Sequence, residues 1–132
     1  TGKVASAIAR LSAAGAVCSA FIDPDERQVE AAKAAGAAVV ELHTGAYANA
    51  WGDAAETRRQ LERLARAAEF AKSLGLTVNS GHGINYSNIA ALLQTAGFNE
   101  LNIGHSIICR ALLVGIGRAV EEMKELIAKY GK

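Results

Sequence analysis

The chain has 132 residues, a formal net charge of +1, and 51% hydrophobic against 20% charged residues. That composition suits one domain with a buried core and excludes a disordered chain. The near-zero charge, the lack of a basic run and the 5% aromatic content do not indicate a nucleic-acid-binding surface. No apolar stretch is long enough to span a membrane. We expect a cytoplasmic protein, because no signal peptide opens the chain and Cys18 and Cys109 lack disulfide, metal or redox spacing.

The predicted elements alternate between amphipathic helices and short apolar strands. The first helix covers 3–14, and the second opens at Asp23-Pro24-Asp25-Glu26, with Asp23 as cap, and ends at Gly36. Asp53 caps the longest helix, which runs to about Leu74. The remaining predicted helices cover 85–94, 105–114 and the segment after Gly117, and the predicted strands cover 17–22, 38–43, 76–79 and 100–103.

This repeat of helix, glycine and strand occurs four times and predicts an α/β protein with a parallel sheet. Polar residues gather at the carboxyl ends of the strands, as they do in a (β/α) barrel of TIM type or in an open α/β sheet. Four strands are half of an eight-stranded barrel, which needs about 250 residues. The chain also starts within a helix. Three interpretations follow: two copies complete a barrel, an open four-stranded sheet forms, or the chain is the C-terminal part of a longer protein.

Candidate chemical groups follow these strands. The run Asn79-Ser80-Gly81-His82-Gly83 places an imidazole between two glycines, which suits proton transfer to a closely held ligand or a simple tight turn. Glu41 and His43 share one face of their strand. A carboxylate there can act as a base, stabilise positive charge in an intermediate, or form a buried ion pair.

Gly104-His105-Ser106 opens a predicted helix and suits phosphate binding, because unpaired N–H groups and the positive end of the helix dipole converge there. Ordinary capping by Ser106 is the alternative. Tyr47 and Trp51 lie in the predicted loop Gly45–Gly52, where they either cover a ligand or pack as a satellite cluster.

Four motifs in this chain resemble the pyridoxine 5′-phosphate synthase family, which completes the deoxyxylulose-dependent route to vitamin B6. They are Phe21-Ile22-Asp23, Glu41-Leu42-His43-Thr44-Gly45, Val78-Asn79-Ser80-Gly81-His82-Gly83 and Glu100-Leu101-Asn102-Ile103-Gly104-His105-Ser106-Ile107-Ile108. The resemblance covers essentially the whole chain and is to the C-terminal half of that protein. It implies that residues 1–132 supply about four of the eight βα units of a barrel and are incomplete alone.

The resemblance also implies the activity and its residues. The reaction is a ring-closing condensation of 1-deoxy-D-xylulose 5-phosphate with 3-amino-2-oxopropyl phosphate, which releases phosphate and water without a metal or organic cofactor, in an octamer. His82 matches the proton donor and Glu41 the carboxylate that stabilises the transition state. The substrate-binding positions are matched by Gly83, Gly104 and His105. The family's other catalytic histidine and glutamate and its arginine-bearing loop have no match here, so we expect no activity from this chain alone.

Two other functions remain open from the residues themselves. One is a non-catalytic half-barrel that binds phosphate or associates through its open edges. The other is a metal-dependent barrel hydrolase, since His43, His82 and His105 end three different strands; no pair of them has local ligand spacing, and we predict no metal site. Neither a nucleic acid nor a membrane is an expected partner.

Overall fold

The computed structural model describes residues 2–131, which contain four strands and seven helices. Residues 1 and 132 of the predicted domain lie outside the described residues. The strands are β1 (Ser19–Ile22), β2 (Val39–His43), β3 (Thr77–Gly81) and β4 (Leu101–Asn102). The helices are α1 (Gly2–Ala13), α2 (Glu26–Ala34), α3 (Gly45–Asn49), α4 (Ala54–Ser73), α5 (Ile89–Thr95), α6 (His105–Val114) and α7 (Ile116–Tyr130).

The four strands form one parallel sheet in the order β1-β2-β3-β4, which confirms the predicted α/β fold. Each strand pairs with the next one along the chain. A doubly wound sheet would reverse its order at a switch point. The described sheet has no such reversal, and its order is consistent with a segment of a (β/α) barrel.

The two faces of the sheet differ in what covers them. Val40, Leu42 and Val78 point to the face that packs against the helices, where they are at most 2% exposed. Alternate residues of a strand point to opposite sides, so Phe21, Glu41 and His43 lie on the other face, which we call the open face. Phe21 is 57% exposed there.

Most corrections to the predicted boundaries have local causes. The second helix begins at Glu26 because Asp25, not Asp23, is its cap and accepts a hydrogen bond from the Arg27 N–H at 3.0 Å. The predicted helix 85–94 begins only at Ile89, since Asn85 and Asn88 form a side-chain-stabilised turn before it. In that turn Asn85 Oδ1 accepts from the Asn88 N–H at 3.0 Å, and Asn88 Oδ1 accepts from the Asn85 N–H at 2.8 Å.

Two further differences affect the surroundings of the open face. The predicted loop Gly45–Gly52 contains the short helix α3, and β3 extends two residues beyond its predicted end, to Gly81.

Both edges of the sheet are unpaired within the described residues. Large apolar side chains are also exposed, including Val17 (76%) before β1 and Leu112 (83%) on α6. Among residues 2–131, no helix has the length and apolarity required to cross a bilayer.

Candidate active site

A pocket of about 670 Å³ opens at the carboxyl ends of the strands. Its lining combines residues of β1, β2 and β4 with the segments that follow β3 and β4. The lining residues are Phe21, Glu41, His82, Gly83, Ile84, Asn85, Asn102, Ile103, Gly104, His105 and Ser106. All five residues predicted for the site, Glu41, His82, Gly83, Gly104 and His105, therefore lie around one cavity.

Glu41 reaches this pocket from the open face of β2. Its Oε2 accepts a hydrogen bond of 2.7 Å from Asn102 Nδ2 on β4. The carboxylate passes over Gly81 of β3, where an added Cβ would lie only 2.1 Å from Glu41 Oε1. Because Gly81 has no side chain, there is space above it for the Glu41 and Asn102 side chains to form their hydrogen bond.

His82 follows β3 directly and has a φ of +73°, the one positive φ at a non-glycine position within residues 2–131. This left-handed backbone conformation is unfavourable for a residue with a Cβ. Gly83 follows with a φ of +81°, and an added Cβ there would lie 2.6 Å from Ala48 Cβ of α3. A glycine is needed at this position for both its backbone conformation and its lack of a side chain.

Gly104 is the N-cap of α6, and no side chain caps this helix end. Ser106 does not act as the cap, because its hydroxyl donates to the Ile84 carbonyl at 2.8 Å. The alternative of ordinary capping by Ser106 is therefore wrong. A helix start without a side-chain cap, facing a pocket, has the backbone donors and dipole that suit an anion.

His43 shares the open face with Glu41 but does not line the pocket. Its ring lies between Phe21 (centroids 5.1 Å apart) and His82 (4.8 Å apart). Its Nδ1 is 3.4 Å from an Asp23 carboxylate oxygen. His43 thus packs against one side of the His82 ring.

Of the two loop aromatics, Tyr47 neither lines the pocket nor forms a satellite cluster, because it packs within the main hydrophobic core. Tyr47 is 1% exposed, and its hydroxyl donates to the Asn88 carbonyl at 2.6 Å. Burial raises the pKa of Tyr47 to about 12. Trp51 packs on Tyr47 with ring centroids 5.9 Å apart.

The histidines do not form a metal centre with other side chains. Within residues 2–131, no group of three or more His, Cys, Asp or Glu side chains could hold a metal ion. The metal-dependent hydrolase therefore has no ligand set in the described part of the chain.

Two contributors to the site were not among the predicted site residues. The sequence signal for Asn102 is that it is a polar residue near the end of a predicted strand. Asn79, which shares that signal, instead donates to Glu100 at 3.2 Å and accepts from Asn99 at 3.2 Å. The second missed contributor is Thr44, whose contacts are described below.

The chain is thus a parallel β/α protein whose strands are in sequential order. A carboxylate, an imidazole and a helix N-terminus suited to binding an anion surround one cavity. Comparison with known proteins gives the family. The model of the family described as "Pyridoxal phosphate biosynthesis protein PdxJ" matches residues 1–129, and the chain belongs to this family.

Three curated relatives of this chain carry the name pyridoxine 5′-phosphate synthase. The protein of Coxiella burnetii is 57% identical over 120 residues, which are 91% of this chain and 50% of the relative. That of Pelobacter propionicus is 50% identical over 127 residues, 96% of this chain and 52% of the relative. The protein of Solidesulfovibrio magneticus is 52% identical over 125 residues, 95% of this chain and 52% of the relative. The chain thus spans about half the length of the curated relatives it matches.

Proposed function

We propose that this chain is the C-terminal half of a (β/α)8 barrel with pyridoxine 5′-phosphate synthase activity. The reaction condenses 1-deoxy-D-xylulose 5-phosphate with 3-amino-2-oxopropyl phosphate to give pyridoxine 5′-phosphate, phosphate and water. The observation that carries the proposal is the single pocket in which Glu41, His82 and the Gly104 helix start meet. Ring closure of two phosphorylated substrates requires proton transfer, charge stabilisation and phosphate binding, and each of these groups suits one of those tasks.

In this proposal His82 donates a proton to a departing oxygen, because an imidazole changes its charge near neutral pH. Glu41 stabilises positive charge that develops in the condensing intermediate. The hydrogen bond from Asn102 Nδ2 leaves the second carboxylate oxygen, Oε1, for that task. Gly104 and His105 contact a substrate phosphate at the start of α6, and Gly83 presents its backbone to the aminoketone phosphate. No step requires a metal or an organic cofactor.

A missing amino-terminal half is proposed for three reasons. The chain spans about half of its relatives. Both edges of the described sheet lack partners, and unpaired strand edges are normally covered in stable proteins. The open face carries Phe21, which is 57% exposed. The other half would supply the general base and the arginine-bearing substrate loop, and the completed barrels would assemble into the octamer that the family resemblance implies.

The test is reassembly with the amino-terminal half of the Coxiella burnetii relative. The two pieces are co-expressed and purified, and formation of pyridoxine 5′-phosphate is measured by chromatography. We expect turnover only when both pieces are present, and a mass consistent with eight complete barrels by light scattering. Turnover by this chain alone would refute the division of residues between the halves. A complex that binds inorganic phosphate but forms no product would favour the alternative, a non-catalytic phosphate-binding half-barrel.

A further inference from the structure

Thr44 lies between the end of β2 and the start of α3, and it contacts the loop that carries His82. Thr44 is 1% exposed. Its backbone N–H and its hydroxyl both donate to the Gly81 carbonyl, each at 2.9 Å. The same hydroxyl also contacts the carbonyl of His82 itself. One buried residue therefore holds two consecutive carbonyl groups of the neighbouring strand end.

The hydroxyl of Thr44 makes these contacts instead of capping its own helix. Thr44 is the N-cap residue of α3, and a threonine at this position ordinarily accepts a hydrogen bond from the first turn. Here no side-chain cap forms. The local sequence favours a cap, and the tertiary structure uses the hydroxyl for the His82 loop.

The loop requires such support because of its backbone conformation. A φ of +73° at His82 is disfavoured for a residue with a Cβ, and such strain persists only when surrounding contacts hold it. The next carbonyl, that of Gly83, accepts from the buried Asn88 Nδ2 at 3.1 Å. Thr44 and Asn88 together bond three carbonyls in a row. The hydrogen bond to the carbonyl of His82 comes from Thr44, and the His82 side chain lines the pocket.

We propose that Thr44 is a positioning residue, whose hydroxyl holds the His82 backbone at positive φ and so directs the imidazole into the pocket. This inference rests on the proposed role of His82 for its effect on catalysis. Its effect on the backbone does not depend on that role. A proton donor that is misplaced by about 1 Å loses on the order of 100-fold in rate.

The test compares Thr44→Val, which keeps the shape and removes the hydroxyl, with Thr44→Ser, which keeps the hydroxyl. In this chain, NMR coupling constants measure the sign of φ at His82. We expect a positive φ in the unmodified protein and in Thr44→Ser, and its loss in Thr44→Val. In the reassembled enzyme, Thr44→Val should lower kcat by about 10- to 100-fold with a smaller change in KM, and Thr44→Ser should restore most of kcat.

The outcomes separate this proposal from the proposed function. A positive φ at His82 in folded Thr44→Val would overturn the positioning role, whatever the activity. A changed φ with no change in kcat would instead contradict the role of His82 as proton donor. If Thr44→Val does not fold, the rate of hydroxyl-proton exchange at Thr44 in the unmodified protein tests whether its hydroxyl is held in hydrogen bonds. A Thr44 hydroxyl that exchanges with water as fast as a free one would also overturn the proposal.

Discussion

Replacing Gly83 with alanine tests the close approach of the His82 loop to α3. An added Cβ would lie 2.6 Å from Ala48 Cβ, whereas carbon atoms in ordinary contact are about 3.5–4.0 Å apart. Overpacking of this kind costs about 1–3 kcal/mol. The φ of +81° adds about 1–2 kcal/mol for a residue with a Cβ. The reduced freedom of the unfolded chain returns about 0.4–1 kcal/mol. We therefore expect Gly83→Ala to lower the free energy of unfolding by about 3 kcal/mol, within a range of about 1–5 kcal/mol.

Gly75→Ala is the matched control for this substitution. Gly75 has a φ of +73°, and the nearest atom to an added Cβ is the flexible Lys33 Nζ at 4.0 Å. The control therefore carries the backbone penalty without the collision, and we expect it to lose about 1 kcal/mol. The difference between the two variants measures the contact with Ala48. The steric overlap with Ala48 Cβ should be removed when Ala48→Gly is combined with Gly83→Ala.

Urea unfolding of the four proteins, followed by circular dichroism, gives these free energies. With a slope of about 1–3 kcal/mol per molar urea, the expected loss moves the midpoint of Gly83→Ala by on the order of 1 M. An equal loss for Gly83→Ala and Gly75→Ala would show that α3 does not approach Gly83. Failure of Ala48→Gly to recover stability in the double variant would lead to the same conclusion.

Three further predictions concern the pocket and its support. His82→Asn in the reassembled enzyme should lower kcat by about 100-fold or more with little change in KM, because it removes the proposed proton donor; steady-state kinetics showing a change in KM alone would contradict that role. Asn102→Asp should lower kcat by about tenfold, since a second carboxylate would replace the donor 2.7 Å from Glu41 Oε2; an unchanged kcat at neutral pH would show that this contact does not matter for turnover. Burial raises the pKa of Tyr47 to about 12 from an unfolded value of about 10, so its contribution to stability is fully present below about pH 10 and is lost as the pH rises towards about 12. The extra loss of stability over that range should disappear in Tyr47→Phe, as measured by urea unfolding at each pH.

The prediction of a parallel α/β fold succeeded because it depends on repeated local patterns. Helix-ending glycines followed by short apolar strands recur along the chain, and each pattern is formed by residues that are close in the sequence. The boundaries were less accurate where side chains bond the backbone locally. Asp25 took the place of Asp23 as a cap, and the Asn85–Asn88 turn delayed α5. Hydrophobic spacing does not report such hydrogen bonds.

The sequence predicted that the candidate residues lie around one pocket, but not their contacts with each other. Polar residues after parallel strands meet at one edge of the sheet, so Glu41, His82 and Gly104 could be grouped from their positions alone. The partner of Glu41 could not be foreseen, because Asn79 and Asn102 have equivalent positions in the sequence. The register and the gap at Gly81 bring Asn102 to the carboxylate, while Asn79 bonds to Glu100.

The sequence by itself determined the alternation of strands with the longer helices, the parallel sheet and the residues that gather at its carboxyl edge, because these follow from local hydrophobic spacing and from chain direction. Only the tertiary structure decided that Thr44 bonds to the His82 loop instead of capping α3, and that His82 adopts a positive φ. The physical reason is that these choices depend on which groups of separate strands lie within hydrogen-bonding distance. That distance exists only after β2 and β3 have paired in register.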